Sequence, residues 1–424
     1  MGNTSEVKIT RLKELGNREA TVFEHDSQRI IIDDQGGMIP EQSAVRTDGE
    51  IQEGSSPWLN AHWLPWFRSN SGKPYNEAEY GAFWKANLLY HLAGNFPCLP
   101  NFGGGCAVDG INFPPHGWSA NLLWKFNNSG FHEGTGWALS TMDSPESSMP
   151  LVFRKIDALV PGQNVHYTSI AVKNSGKTDM EINAGWHNTV GAPFLAKGSR
   201  LSACADAWIT ALERSEFQNT ARFAFEAEFS NLREVPLQKG GKVDISTIPG
   251  PIGYTDFAAG RVPAKNHLGW SSLVNPFLKI AYISFFTGPA AAAGDDIILR
   301  FNNLWLQFGG RRFTPWAAYE GGTDLTYCLG VENSAAAHAE GLEYSRQVKK
   351  NLDAPTTIII PAGEEKILRY GTLFAPYGEN SLDEGVISLE GEENALVCLG
   401  KGGNWRFAAD PGFGILKALE KKLA

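Results

Sequence analysis

Three segments place an ionisable side chain where an apolar one would be expected. FPPHGWSANLLW, residues 113 to 124, holds His116 between Pro114, Pro115 and Gly117 among aromatics. GWHNTVGAPF holds His187, and CLGVENS holds Glu332. An imidazole titrates near neutral pH and a carboxylate is a base. Brought together, these groups would give one proton and take another at a single reacting centre.

Strand alternation orients two of them. In DMEINAGWH, Met180, Ile182, Ala184 and Trp186 point one way, and Glu181, Asn183, Gly185 and His187 the other. In DLTYCLGVE, Leu325, Tyr327, Leu329 and Val331 form an apolar face. Asp324, Thr326, Cys328, Gly330 and Glu332 form the opposite face, whose small side chains leave room for a ligand. Each residue also has a plainer reading. His187 would be a solvent-facing strand end, His116 a buried structural histidine, and Glu332 a carboxylate favouring the dipole of a helix capped by Ser334.

Other segments offer binding groups. Arg68 lies beside Trp66 and Phe67 in LPWFRSN, which suits a ligand contact. Trp118 and Trp124 suit either a core or a wall for the C–H surface of a sugar. Asn188 follows His187 directly, and Asp256 and His267 are further candidates. Arg311 and Arg312 in GGRRFTPW would bind an anionic substituent or lie solvated in a loop. FGGGC at 102 to 106 lacks the Gly-Lys-Ser/Thr of a phosphate loop.

The elements that must position these groups read as strands. EATVFEHDSQRIII reads as strand, turn, strand, and residues 165 to 187 as a hairpin turning at Asn-Ser-Gly-Lys. DIILRFNNLWLQF, DLTYCLGVE, TTIIIP, EEKILRYGTLF, ALVCLG and NWRFAA follow as strands. Two helices are expected, in SAAAHAEGLEYSRQVKK from Ser334 and in YNEAEYGAFWKANLLYHL. Residues from about 34 to 115 are loop-rich, and loops of β proteins commonly carry the binding surface. Without an internal repeat or linker, residues 1–424 are expected to form one domain.

Composition narrows the partners. Hydrophobic residues at 42% and charged residues at 20% are ordinary for a globular protein. The net charge of -9 argues against nucleic acid and anionic membrane. FLKIAYISFFTGPAAAAG is too broken to span a bilayer and reads as a buried strand and a turn. Five scattered cysteines without a C-x-x-C pair fit reduced thiols, and the polar N-terminus lacks a signal-peptide core, so a cytoplasmic location is expected.

The order of the motifs resembles aldose 1-epimerase-like proteins, the galactose mutarotase superfamily. VHYTSIAVKNSGKTDMEINAGWHNTVGAPF resembles the strand–turn–strand that leads to a histidine there. PPHGW resembles the His-Gly motif, YCLGVENS the strand ending in a catalytic glutamate, and IIIPAGEEKILRYGTLF the closing hairpin. Together they span roughly residues 20 to 375. Trp118 stands where the family has a second glycine, and Asn188, Thr189 and Val190 follow the later histidine in place of Ser or Thr and aromatics. These departures point to a divergent branch.

The resemblance implies a mostly β protein, a β-supersandwich of large antiparallel sheets with few short helices. It implies interconversion of the anomers of an aldose or aldose derivative. Glu332 would be the base, His187 the acid, and His116 a donor to the ring-oxygen region. Arg68, Trp66, Trp118, Asn188 and Asp256 would bind the substrate, a small-molecule carbohydrate, with no metal, nucleotide or redox cofactor. The competing readings are a lyase or glycoside hydrolase, which would need a second carboxylate, a carbohydrate-binding module, and a metal site built from His116, His187 and Glu332.

Overall fold

The computed structural model describes residues 6–15, 18–46, 56–65, 88–311 and 327–424, apart from the side chains of residues 14, 15, 89 and 90. Trp66, Arg68 and Arg312 lie outside them, as does most of YNEAEYGAFWKANLLYHL, of which Leu88–His91 is helical.

Two large antiparallel sheets dominate. One, the site sheet, runs in the order Glu228–Phe229, Ala207–Thr210, Tyr254–Arg261, Phe301–Phe308, Tyr327–Ala335, Ala184–His187 and Phe96–Cys98, with Thr189–Gly191 also paired to Tyr327–Ala335. The other, the backing sheet, runs Arg200–Ala203, Leu268–Asn275, Ile280–Thr287, Glu365–Pro376, Val165–Asn174, Leu151–Leu159, Thr135–Asp143 and Lys125–His132. They pack face to face. Leu304, Leu329 and Val331 of the first meet Leu273, Tyr282 and Phe374 of the second in one buried cluster. A five-stranded sheet, from Lys8–Leu15 to Trp58–Asn60, joins through Gln42, whose amide donates to the Thr372 carbonyl at 2.6 Å. Helix Gly414–Lys422 docks on the backing sheet, where Leu416 and Leu419 are buried and Arg369 pairs with Glu420 at 2.7 Å.

Both faces of the central strands are covered, so alternation sorts residues between layers rather than between core and water. Tyr327–Ala335 is buried at every position after Tyr327. Leu329 and Val331 face the backing sheet, and Cys328 belongs to a second cluster with Phe96, Phe257 and Trp305 on the outer face.

Three expected elements differ. Val165–Asn174 does not form a hairpin with the segment that follows; it pairs with Leu151–Leu159 and Glu365–Pro376. Met180–Ile182 pairs with Ile358–Ile360, and Ala184–His187 enters the site sheet. Asn174 makes this corner by donating to the carbonyls of Thr178 and Ile360 while accepting from the Gly176 N–H. TTIIIP and EEKILRYGTLF likewise turn at Ala-Gly but serve different sheets. The helix expected from Ser334 begins at Gly341, because Ser334 is still a paired strand residue. That removes the helix-dipole reading of Glu332.

Candidate active site

The register of three strands sets Phe96, His187 and Glu332 in one row. Phe96 pairs with His187. Trp186 pairs with Asn333 and Thr189 with Gly330, so His187 lies opposite Glu332 across the ladder. Directly opposed residues on one face are natural partners. His187 Nε2 lies 3.1 Å from Glu332 Oε1, and both side chains are almost fully buried. Asn303, cross-strand from Glu332 on its other side, donates to Ser334 Oγ at 2.7 Å.

Each member of the pair is braced. His187 Nδ1 lies 2.8 Å from Thr189 Oγ1, and the Phe96 ring stacks on the imidazole at 4.5 Å. Gly330 supplies the space for Glu332, since a Cβ there would stand 2.7 Å from Glu332 Oε1 and 2.9 Å from Trp305 Cβ.

His116 arrives from a different element. The Pro114–Pro115 pair and a left-handed backbone at His116 (φ 59) turn the chain into the short helix Gly117–Asn121. Asn121 Nδ2 donates to the carbonyls of Pro115 and Gly117, both at 2.7 Å. The imidazole stands edge-on to His187, ring centres 4.8 Å apart. The Gly103 N–H, an obligatory donor, points at His116 Nδ1 from 3.4 Å, and Cys98 Sγ lies 3.5 Å from it. A neutral His116 therefore carries its proton on Nε2. Gly103 makes this approach with φ 102, and a Cβ there would collide with the Ala339 carbonyl at 2.2 Å.

The groups open onto a cavity of about 400 Å³, walled by Phe96, Phe217, Phe257, Trp305 and Pro115, with Gly103 to Gly105 at one edge. Three carboxyl groups, Glu216, Glu332 and Glu340, and Arg311 complete its polar lining. Arg311 is buried, bonds Glu216 at 2.6 Å and lies over the Trp305 ring. Among the described residues no group of three His, Cys, Asp or Glu side chains is arranged to hold a metal ion.

Burial sets the protonation of the cavity. It raises Glu332 well above the usual carboxylate range, with Glu216 adding repulsion. It lowers His187 well below the usual imidazole range, with His116 adding to the effect, and lowers His116 to about 4. Glu340 is pushed up to about 7 by burial and then by Glu216. Burial thus favours the uncharged forms of both members of the pair. In those forms the Glu332 carboxyl would donate to His187 Nε2, and the imidazole would keep its own proton on Nδ1, towards Thr189 Oγ1.

The structure brings His116, His187 and Glu332 together and places the other described candidates elsewhere. Trp118 is a buried core residue, packed on Phe113 at 5.1 Å and outside the cavity lining, so it offers no face to a ligand. Trp124 is buried too, its Nε1 donating to the Ser119 carbonyl. The aromatic wall is built instead by Trp305 and Phe96. Asn188 points away from His187, between the sheets, where it donates to Tyr370 Oη at 2.5 Å. Asp256 is fully buried under Arg222, at 2.7 Å, and accepts the N–H groups of Arg222 and Phe223. His267 is exposed beyond the cavity lining. Sequence reasoning missed Glu216 and Glu340, and it left Arg311 between an anion contact and a solvated loop arginine.

No protein-family model matches the sequence, and neither does any curated protein. Solved structures do. A candidate aldose 1-epimerase from Klebsiella pneumoniae aligns with a TM-score of 0.56 at 14% identity, over 84% of this chain and 79% of that one. A galactose mutarotase-like protein from Clostridium acetobutylicum aligns with a TM-score of 0.54 at 10% identity, over 88% and 99%. A candidate aldose 1-epimerase from Escherichia coli gives 0.51 at 14% identity, over 87% and 99%. With its stacked antiparallel sheets, few short helices and these likenesses, the chain has the galactose mutarotase-like fold, far diverged in sequence.

Proposed function

We propose that the protein is an aldose 1-epimerase-like enzyme that opens and recloses the ring of a small sugar. The observation that carries this reading is the His187–Glu332 pair, 3.1 Å apart on the wall of a cavity whose volume, about 400 Å³, suits a small molecule. Mutarotation removes a proton from the anomeric hydroxyl and delivers one to the ring oxygen, then reverses both steps. A pair sharing one proton does this without net charge entering the cavity. Transfer from Glu332 to His187 leaves the carboxylate as base towards the anomeric hydroxyl and the imidazolium as acid towards the ring oxygen. After ring opening the proton count of the pair is restored, and reclosure on the other carbonyl face gives the other anomer. His116, neutral and protonated on Nε2, is suited to donate a hydrogen bond to the carbonyl oxygen of the open form. Trp305 and Phe96 cover the C–H surface of the sugar.

The test is anomer exchange measured by NMR across a panel of free sugars, amino sugars, sugar phosphates and uronic acids. Acceleration with at least one sugar, lost in Glu332→Gln and His187→Asn, supports the reading. No acceleration with any sugar refutes it.

A second reading, a glycoside hydrolase or lyase, draws on Glu216 and Glu340. With Glu332 they supply the further carboxylate that such chemistry needs. New reducing ends or unsaturated products from oligosaccharides would favour it.

A further inference from the structure

Behind the row of cavity residues stands a row of asparagines. Asn95 precedes Phe96, Asn188 follows His187 and Asn333 follows Glu332. All three are wholly buried. They meet two tyrosines of the backing sheet. Tyr370 Oη accepts from Asn188 Nδ2 at 2.5 Å and donates to Asn333 Oδ1. Tyr282 Oη accepts from Asn95 Nδ2 at 2.6 Å and donates to Asn188 Oδ1 at 3.1 Å. Asn95 Oδ1 accepts the Thr189 N–H, and Ser284 Oγ donates to Asn333 Oδ1 at 3.0 Å. The Tyr370 ring stacks on Trp186 at 4.7 Å.

We infer that Tyr370 is a positioning residue whose single hydroxyl ties the strand bearing His187 to the strand bearing Glu332 and so sets their separation. This rests on the reading that the pair works as acid and base. The strand pairing explains why a tie is needed there. Ala184–His187 and Thr189–Gly191 are separate strands, and Asn188 sits at the break between them. The register runs on across the break, from Trp186–Asn333 to Thr189–Gly330, so the break loosens the ladder locally rather than freeing its two halves. There Asn188 is fixed by the Val331 N–H to its carbonyl at 2.9 Å and by the contacts of its side chain. Removing the Tyr370 hydroxyl leaves one Asn188 amide N–H without a partner in a buried space and Asn333 Oδ1 with Ser284 as its remaining donor, and the strands rearrange in response.

The test is Tyr370→Phe, which keeps the ring stacked on Trp186. Protein labelled with ¹⁵N-histidine carries nine labelled imidazoles, and the His187 signals are those lost in His187→Asn. The expected result is a folded protein whose His187 imidazole resonances move. Its kcat falls about tenfold or more while KM stays within about twofold, as displacement of a reacting group predicts. The control is Tyr167→Phe, another fully buried tyrosine of the backing sheet, bonded to Gln163 and Asp410. It should leave both readings unchanged. The imidazole signals need no sugar, so an inactive wild-type protein would sink the proposed function while leaving this inference testable. Unmoved His187 signals in folded Tyr370→Phe overturn it, as do equal shifts in Tyr167→Phe. If Tyr370→Phe does not fold, Asn333→Ala removes the acceptor at the other end of the Tyr370 tie, and unmoved His187 signals there overturn it instead.

Discussion

Gly330→Ala is the smallest change expected to disable the site while leaving the fold intact. Gly330 carries no left-handed backbone, so alanine adopts its conformation without strain. The added Cβ, however, stands 2.7 Å from Glu332 Oε1, where ordinary contact begins near 3.4 Å. It also stands 2.9 Å from Trp305 Cβ, which a packed strand holds in place, so the carboxyl is the group that yields. A retreat of about 0.7 Å lengthens the bond to His187 from 3.1 Å to as much as about 3.8 Å where it runs away from the imidazole, beyond hydrogen-bonding range. Misplacement of a reacting group by about 1 Å costs about a hundredfold in rate. The expected loss is therefore roughly tenfold to a hundredfold, or about 1.4–2.8 kcal/mol of barrier. Overpacking costs about 1–3 kcal/mol of stability, which a protein of this size tolerates. Anomer exchange by NMR gives the rate, and urea unfolding gives the stability. A Gly330→Ala protein with the wild-type exchange rate and unmoved His187 resonances would refute the claim that Gly330 sets the carboxyl position.

Other perturbations follow from the same geometry. Glu332→Gln and His187→Asn should each lower kcat by about 10²–10⁴-fold, and the double variant should lose little more, because one shared proton is already gone. Gly103→Ala, which sets a Cβ against the Ala339 carbonyl, should lower the urea midpoint and weaken the bond to His116 Nδ1. His338 is buried and its ring is lowered to about 4 by burial. Between about pH 6.5 and 4 the unfolded chain binds a proton there that the folded chain does not, so stability falls as pH falls through that window. His338→Asn should flatten this decline, measured as urea midpoints at pH 7 and pH 5. Glu216 helps hold Glu340 near 7, so Glu216→Gln should move the Glu340 ionisation to lower pH, followed by ¹³C NMR of the side-chain carboxyls.

The catalytic candidates were legible because their signals are local. Two prolines and a glycine announce a fixed backbone at His116. Strand parity put His187 and Glu332 on faces unlike their apolar neighbours, and the small residues before Glu332, read as room for a ligand, instead leave at Gly330 the space that the carboxyl itself takes. Parity is a property of one strand, however, and says nothing of which strand comes next. Residues 165 to 187 look like a hairpin from within, yet their two halves belong to different sheets, because Asn174 bonds across to Ile360. The same limit hid the cavity's other walls. Glu216 and Arg311 are far apart in the chain and look like loop charges until folding pairs them at 2.6 Å. Asn188 and Trp118 were misjudged for a shared reason. Each adjoins a cavity histidine or sits two residues past one, yet points into the interior.

The intersheet tyrosines bear on how such a site could be moved or copied. An imidazole and a carboxyl grafted alone onto a foreign β scaffold would keep their chemistry and lose their spacing, since the amides and phenols that hold them come from beneath the surface. The transplantable unit is thus a slab two layers deep, and a designer who copies only the visible wall should recover affinity before turnover.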